Sequence, residues 1–508
     1  MMMKTIIKVA LISLLWIAAI NPGPIYGDTL ARLDMAHAWW TGTEEISLPP
    51  DYKPKSRLEN IGVLGVGGKR YIPYEVGQSL LMLPGDWLGT QLHKIFPRME
   101  INYLRRLVVS LLIFIPLNVA AVVSCFWLLR LFDFEERIAG IATITLLLST
   151  TVFHYAQVPQ QNNQVLLFVT LGYAAALACV RRGLPYLALF SGLALGAALL
   201  IRMTSIIHIF TVFLFLVGCI VYQSRDKFKI LRVVGWWIVG FIPLALLGRV
   251  FDYIRYGSFW TSGQRLAAQQ WNTEPIFSGL PELPENFPFI NPPHVGIFGV
   301  LFSPAKSIFI YDPLLLPCLV LGIVFWQKLS PYIQWYLING IFNLTLHIFL
   351  TSRLDFWHGD SAWGARYHVT SVHLLLIPLI PLLIERILLV RGLTQWLMRG
   401  FLVLAIIVQM SSVILRTSAE TGPIFFATLR NHLEFRLGDR VTNIACLINS
   451  SFSNQCTAKL YYNVNGLLIK KISLLPFSFT KGRNLVFIVW GLVLTLAIVT
   501  TVMFCFVG

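Results

Sequence analysis

Apolar residues fall in long blocks along this chain, separated by short polar connections. Runs of roughly 17 to 25 apolar residues are long enough to cross a bilayer as a helix. Such runs lie near 5–21, 104–129, 138–153, 165–180, 184–201, 205–222, 232–251, 308–326, 332–351, 369–390, 398–415 and 484–506. They predict an all-α polytopic membrane protein of about twelve transmembrane helices. The block pattern lapses in three long stretches, 22–103, 252–307 and 416–483. The first holds "TLARLDMAHAWW", which reads as a short helix, and then "PYEVGQSLLMLPGDWLGTQLHKIF", an amphipathic stretch suited to lying flat at the membrane interface. The second is rich in Pro and aromatics, "GLPELPENFPFINPPHVGIFG". The third, with "FRLGDRVTNIACLINSSFSNQC", reads as a small cap. The chain therefore divides into a core over 1–415, a cap loop over 416–483 and a last membrane segment over 484–508.

The basic residues give these spans an orientation. Lys4, Lys8, Arg130, Arg137, Arg181, Arg182, Arg225, Lys227, Lys229, Arg232, Lys328, Arg386, Arg391 and Arg399 all fall on one side when the N-terminus is placed inside. The short loops of the other side hold only Arg202, Arg353 and Arg366. Positive charge marks the cytoplasmic side, so both termini are expected inside, with 22–103, 252–307, 352–368 and 416–483 facing outward from a plasma (inner) membrane. The first run also resembles a signal peptide. "INPGPIYGD" offers no clean small-residue cleavage site, so retention as a span is expected.

Composition agrees with this picture. Of 508 residues, 56% are apolar and 13% charged, about half the charged share of an ordinary soluble domain. The net charge of +16 is spread over short connections with no basic domain, so no nucleic-acid partner is expected and membrane lipids are. Cys125, Cys179, Cys219, Cys318 and Cys505 fall inside predicted spans, whereas Cys446 and Cys456 share an outward loop. That pair is expected to form a disulfide in an oxidising compartment.

Polar chemistry gathers in the outward loops, which points to a site at the outer surface. In "GDTLARLDMAHAWW", Asp28 and Arg32 are four apart and share a helix face, while Asp34 lies on another. A carboxylate near a cation at the membrane surface suits a general base acting on an alcohol or amine; an N-cap is the structural alternative for Asp28. In "FWHGDSAWGARYH", Gly359 and Gly364 permit tight turns. Arg366 offers a forked donor for phosphate, with His358 and Asp360 beside it. Trp357 and Trp363 read either as sugar-stacking rings or as belt anchors. Arg202 and Lys306 sit at outward ends of spans, where each can bind a lipid phosphate or snorkel. Tyr74 and Gln78 line a groove or pack; Gly257, Gly263 and Gln264 read as a turn, with substrate contact as the alternative.

Successive landmarks, "YIPYEVGQSLLMLP", "GLALGAALLIRMTS", "RYGSFWTSGQ", "GVLFSPAKSIFIYDP" and "WHGDSAWGARY", spread over 22–370, resemble the GT-C glycosyltransferases. In layout the chain is similar to protein O-mannosyltransferases and aminoarabinose transferases of that superfamily. The resemblance implies a polyprenyl-phosphate-sugar donor and an inverting displacement at the anomeric carbon. Asp28 falls where the superfamily's first-loop carboxylate activates the acceptor, and Arg366, Arg202 and Lys306 would meet the carrier phosphate. "HYAQVPQQNNQ" supplies no acidic residue where some relatives have one, so no essential metal or other cofactor is expected. The third outward loop matches no landmark, and the acceptor stays open. A polytopic carrier or flippase for a lipid-linked or anionic substrate is the second reading, and a non-catalytic assembly protein the third.

Overall fold

The computed structural model describes residues 2–224, 226–360, 362–416, 434–449, 451, 472–478 and 483–507. All twelve apolar runs fall on helix, and eight of these helices, among the described residues, are long and apolar enough to cross a membrane. The chain is therefore a multi-pass membrane protein. The helices used below are α1 (Met2–Ala19), α2 (Asp28–Thr41), α3 (Gly77–Ile95), α4 (Ile101–Leu131), α5 (Glu136–Ser149), α6 (Val152–Gln157), α7 (Asn162–Arg182), α8 (Leu187–Ile201), α9 (Ile206–Gln223), α10 (Lys227–Tyr256), α11 (Gly263–Thr273), α12 (Pro293–Phe302), α13 (Ile308–Tyr311), α14 (Leu315–Val324), α15 (Pro331–Thr351), α16 (Val369–Leu389), α17 (Leu393–Ile414), α18 (Arg436–Ile448) and α19 (Arg483–Val502). A two-stranded antiparallel ribbon, β1 (Val63–Leu64) with β2 (Arg70–Tyr71), stands in the first loop.

The runs that fall short of a full span have local reasons. The run near 308–326 is cut between α13 and α14 at Asp312–Pro313, because proline removes a helix hydrogen bond and disfavours helix before it. The Asp312 carboxylate accepts from the amide and the hydroxyl of Thr151, at 2.7 and 2.8 Å, which ties the break to the start of α6. The run near 138–153 likewise divides into α5 and α6 around this anchor.

α7 is buried nearly all round and forms the centre of the bundle, while α10 and α19 turn most of their apolar surface outward. α8 and α10 pack with almost no side chain between them. A Cβ on Gly192 would meet the Trp237 carbonyl at 2.1 Å, and one on Gly240 the Leu189 carbonyl at 2.1 Å. Small residues allow such close approach where lipid leaves no hydrophobic drive between helices. Deep in the bundle, Asn343 of α15 donates to Thr211 at 2.8 Å and accepts from Ser371 at 2.7 Å, with the tilted rings of His208 and His347 beside it, 4.6 Å apart. This network joins α9, α15 and α16 and closes on itself, as buried polar groups require.

The loops meet at one end of the bundle. Arg57 of the first loop donates to the carbonyls of Pro281, Trp271 and Leu280 in the second, at 2.7, 2.5 and 2.7 Å. Arg255 at the end of α10 pairs with Glu45 at 3.1 Å. From the third loop, Arg440 is fully buried and donates to the carbonyls of Ser411, Ser412 and Leu415, so it serves as the C-terminal cap of α17. These ties leave the loops as one shaped surface around the turn at 356–368.

Candidate active site

α2 begins with Gly27 at φ 66° in the N-cap position, a conformation that favours glycine. Asp28 is thus the first residue of the helix rather than its cap, and no side chain caps that end. The capping alternative for Asp28 is overturned by this one-residue offset. Its carboxylate is half exposed and lies near the positive end of the helix.

The turn at 356–368 brings a cation to it. Gly359 and Asp360 both hold positive φ, 68° and 55°, and Gly364 follows at 64°. The Asp360 amide donates to His358 Nδ1 at 3.1 Å, which stabilises the first bend. The chain then returns so that the Arg366 guanidinium stands 3.9 Å from Asp28 and 3.7 Å from Asp360. Burial works against the charge on Arg366, but Tyr367, Asp360 and Asp28 together push its pKa above the ordinary value. Asn162, at the start of α7, donates to the Arg366 carbonyl at 2.9 Å and fixes the backbone. Arg202, at the end of α8, lies over the Tyr367 ring at 5.2 Å, and Arg366 over the same ring at 5.1 Å while donating to its hydroxyl at 3.2 Å. Burial, with Arg366 nearby, draws the pKa of Arg202 down to about 10. Two guanidiniums therefore share one tyrosine ring at the site.

Arg32 sits on the same face as Asp28 but does not close the expected ion pair. It is buried, stacks on Tyr74 at 4.0 Å, and leaves its Nε without a partner. Burial lowers its pKa, opposed by Tyr74 and Asp28. The Tyr74 hydroxyl faces the Asp28 carboxylate, and burial followed by that charge raises the phenol well above its usual range. Asp28, Arg32, Tyr74, Asp360, Arg366 and Arg202 thus come together, with His358 shaping the turn beneath them.

Other expectations need correction. Lys306 is fully buried and donates to the carbonyls of Asp360 and Ala362, at 2.8 and 2.6 Å, so it staples the turn from below and does not face a ligand. Gln78 is fully buried and donates to the Pro159 carbonyl at 3.0 Å, joining α3 to the turn before α7. Trp357 and Trp363 are each 2% exposed and pack into the interior, without the open ring face that stacking or a belt needs. Trp357 covers Gly299 of α12, and Trp363 packs edge-on to Tyr311 at 4.8 Å. Asp34 belongs to a separate cluster. It lies 3.5 Å from Arg105, which is bound to fully buried Asp86 at 2.6 Å, and Asp86 also accepts from Trp40 at 2.7 Å. That cluster ties α2, α3 and α4 together. Cys446 lies on α18; Cys456, and with it the expected disulfide, falls outside the described residues.

Tyr367, Asn162 and Arg436 were not anticipated. Arg436 of α18 donates to the Asp360 carbonyl at 3.4 Å, so the third loop reaches the same turn. Among the described residues, no three His, Cys, Asp or Glu side chains cluster as a metal ion would require.

The ion pairs of Arg366 are long and partly solvated, worth about 0–1 kcal/mol each. A forked bond to phosphate is worth roughly 1.5–3 kcal/mol.

No family model matches the chain, and no curated protein matches it. Among solved structures it is similar to the archaeal oligosaccharyltransferase AglB from Archaeoglobus fulgidus in complex with an inhibitory peptide and a dolichol-phosphate, at 12% identity, 81% coverage of this chain and a TM-score of 0.38. The apo form of the Archaeoglobus fulgidus oligosaccharyltransferase gives 13% identity, 81% coverage and a TM-score of 0.39. The chain spans 55% and 56% of those chains.

Proposed function

We propose that the protein is a GT-C-type membrane glycosyltransferase that moves a sugar from a polyprenyl-phosphate carrier to an envelope acceptor at the outer face of the membrane. The observation that carries the proposal is the meeting of Asp28 and Arg366 at 3.9 Å, from loops more than three hundred residues apart. A carboxylate with no capping role and a forked cation aimed at the same space supply the two functions that a lipid-phosphate glycosyl donor needs.

In this reading the carrier phosphate binds Arg366, with Arg202 adding its charge across the Tyr367 ring. Fixed cations stabilise the phosphate as negative charge develops on the departing oxygen. That leaving group needs no proton donor. Asp28, released from Arg366, takes the proton of the acceptor hydroxyl or amine as its oxygen or nitrogen forms the bond to the anomeric carbon. One displacement inverts that carbon. The Tyr74 hydroxyl, facing Asp28, holds the carboxylate in place, and Lys306 and Arg436 hold the Asp360 bend on which Arg366 depends.

Purified protein in nanodiscs, given undecaprenyl-phosphate-linked sugars and an envelope extract, is expected to consume the donor. Asp28→Asn keeps shape and fold and is expected to lower turnover about 10²- to 10⁴-fold, with undecaprenyl-phosphate binding no weaker, because the variant removes a charge that competes for Arg366. A carrier or flippase would leave the donor chemically intact. Near-normal turnover in a folded Asp28→Asn protein would remove the base from this scheme.

A further inference from the structure

Six arginines are buried among the described residues, and five of them are bonded. Arg57 donates to the carbonyls of Pro281, Trp271 and Leu280. Arg105 is bound to Asp86, Arg255 to Glu45, Arg436 to the Asp360 carbonyl, and Arg440 to carbonyls at the end of α17. Arg32 is the exception. It is 5% exposed, its guanidinium donates to no acceptor among the described residues, and no carboxylate oxygen comes within 4 Å of it. We infer that Arg32 is the seat of a second anion, a phosphate or carboxylate group distinct from the phosphate at Arg366. Which substrate carries that anion rests on the glycosyl-transfer reading above.

Three observations lead there. First, the side chain is held ready. The Ser79 hydroxyl donates to the Arg32 carbonyl at 2.8 Å, which fixes the backbone of α2 against α3. The guanidinium lies over the Tyr74 ring at 4.0 Å, and Arg255 donates to the Tyr74 carbonyl at 3.3 Å, so the ring itself is anchored. A guanidinium stacked on a ring keeps its N–H edge for a planar pair of oxygens. Second, the place adjoins the reacting groups. Arg32 is one helical turn from Asp28 on the same face, and Tyr74, on which it lies, turns its hydroxyl to Asp28. An anion bonded to Arg32 therefore stands beside the base, on a different cation from the one that Asp28 meets at 3.9 Å. Third, the neighbouring carboxylates do not fill the fork. Asp28 and Glu75 act on Arg32 only through space. Asp28 is turned to Arg366 and Tyr74, while Glu75 accepts from the Met203 amide at 3.3 Å and is shared with Arg202. These charges balance Arg32 at a distance and leave the N–H donors of its guanidinium without a protein partner. A buried donor calls for an acceptor, and a lone hydroxyl offers one oxygen where the fork takes two.

The test uses full-length protein in phosphatidylcholine nanodiscs, with inorganic phosphate, undecaprenyl phosphate and undecaprenyl diphosphate as probes. The two sources of a second anion give two patterns. If the acceptor carries it, inorganic phosphate binds to protein already saturated with undecaprenyl phosphate, read by broadening of its phosphorus resonance. Undecaprenyl diphosphate then gains nothing over the monophosphate. If the carrier supplies it, undecaprenyl diphosphate binds about tenfold tighter than the monophosphate, and inorganic phosphate does not add to it. In either pattern Arg32→Gln is expected to abolish the second anion while changing undecaprenyl-phosphate affinity less than about twofold, a value that also reports folding. Arg32→Lys keeps the charge and loses the fork, so part of the binding is expected to remain; this variant serves if Arg32→Gln does not fold. Absence of both patterns in the wild type would overturn the inference, as would a second anion that ignores both changes. So would a loss of undecaprenyl phosphate in Arg32→Gln as large as in Arg366→Ala, which would assign Arg32 to the first phosphate. These readings need no turnover, so they stand apart from failure of the donor-consumption assay.

Discussion

Replacing Lys306 with methionine separates two roles that a buried lysine beside a phosphate site can have. The stem is kept in length and bulk, and only the amine is removed. In the wild type that amine donates to the carbonyls of Asp360 and Ala362 with no exposure to solvent. Without it the Ala362 carbonyl is left unsatisfied, at a cost of about 1–3 kcal/mol. The Asp360 carbonyl keeps a long bond from Arg436 at 3.4 Å, so its loss is smaller. Set against this, burial has already pulled the pKa of Lys306 well down, with Arg436 as the next cause, so removing the amine also relieves a desolvation cost. The balance predicts a net destabilisation of roughly 1–3 kcal/mol, concentrated in the turn that carries Asp360 and Arg366. Thermal unfolding in nanodiscs and undecaprenyl-phosphate titration give the two readouts. Lys306→Met is expected to lower the melting temperature and to reduce turnover through misplacement of Arg366, and lowering the assay temperature should restore part of the turnover. A variant with unchanged melting behaviour and a large, temperature-independent loss of undecaprenyl-phosphate affinity would refute the staple and return Lys306 to the phosphate.

Arg366→Lys keeps the charge and loses the fork, so undecaprenyl-phosphate affinity should fall about tenfold, and Arg366→Ala should lose about tenfold more; equal affinity in all three proteins would remove Arg366 from the phosphate. The outward assignment of the loops is checked by cysteine labelling in intact cells: a cysteine near Gly68 should react with a membrane-impermeant maleimide and one near Arg182 should not, and the opposite result would reverse the orientation.

The helices were legible because each run of apolar residues must bury or meet lipid along its whole length, and that requirement leaves a direct mark on the sequence. The breaks inside the runs were less so. Asp312–Pro313 is visible as a helix breaker, but the reason the break is tolerated is Thr151, some 160 residues away. Within the site, Arg366 could be picked out because it is a charge between glycines where the local pattern gives no structural reason for one, whereas Asp28 at the start of a helix had an N-cap as its competing reading. Tyr367 stood next to Arg366 and went unnoticed, since a lone tyrosine near a membrane boundary reads as an anchor. Its role depends on Arg202, which reaches it from the end of α8.

The buried residues that resembled ligand contacts share one cause. Lys306, Gln78, Trp357 and Trp363 all sit in polar, glycine-containing stretches that resemble a ligand site, yet all four are buried beneath it. A turn with successive positive-φ residues exposes backbone carbonyls that the chain cannot satisfy locally. Something must donate to them, and here Lys306 and Arg436 do so from distant elements. Beside the turn, Gly299 of α12 is what lets Trp357 pack so close, since a Cβ there would meet its ring at 2.1 Å. Sequence shows that such a stretch is specialised, but the same residue types serve both the surface that binds and the layer that holds it. What separates the two is whether a polar group still has bonding capacity turned to solvent. By that criterion the half-exposed carboxylates of Asp28 and Asp360, with Arg366 between them, are the groups of the turn to which the proposed chemistry is assigned. The fully committed amine of Lys306 belongs to its support.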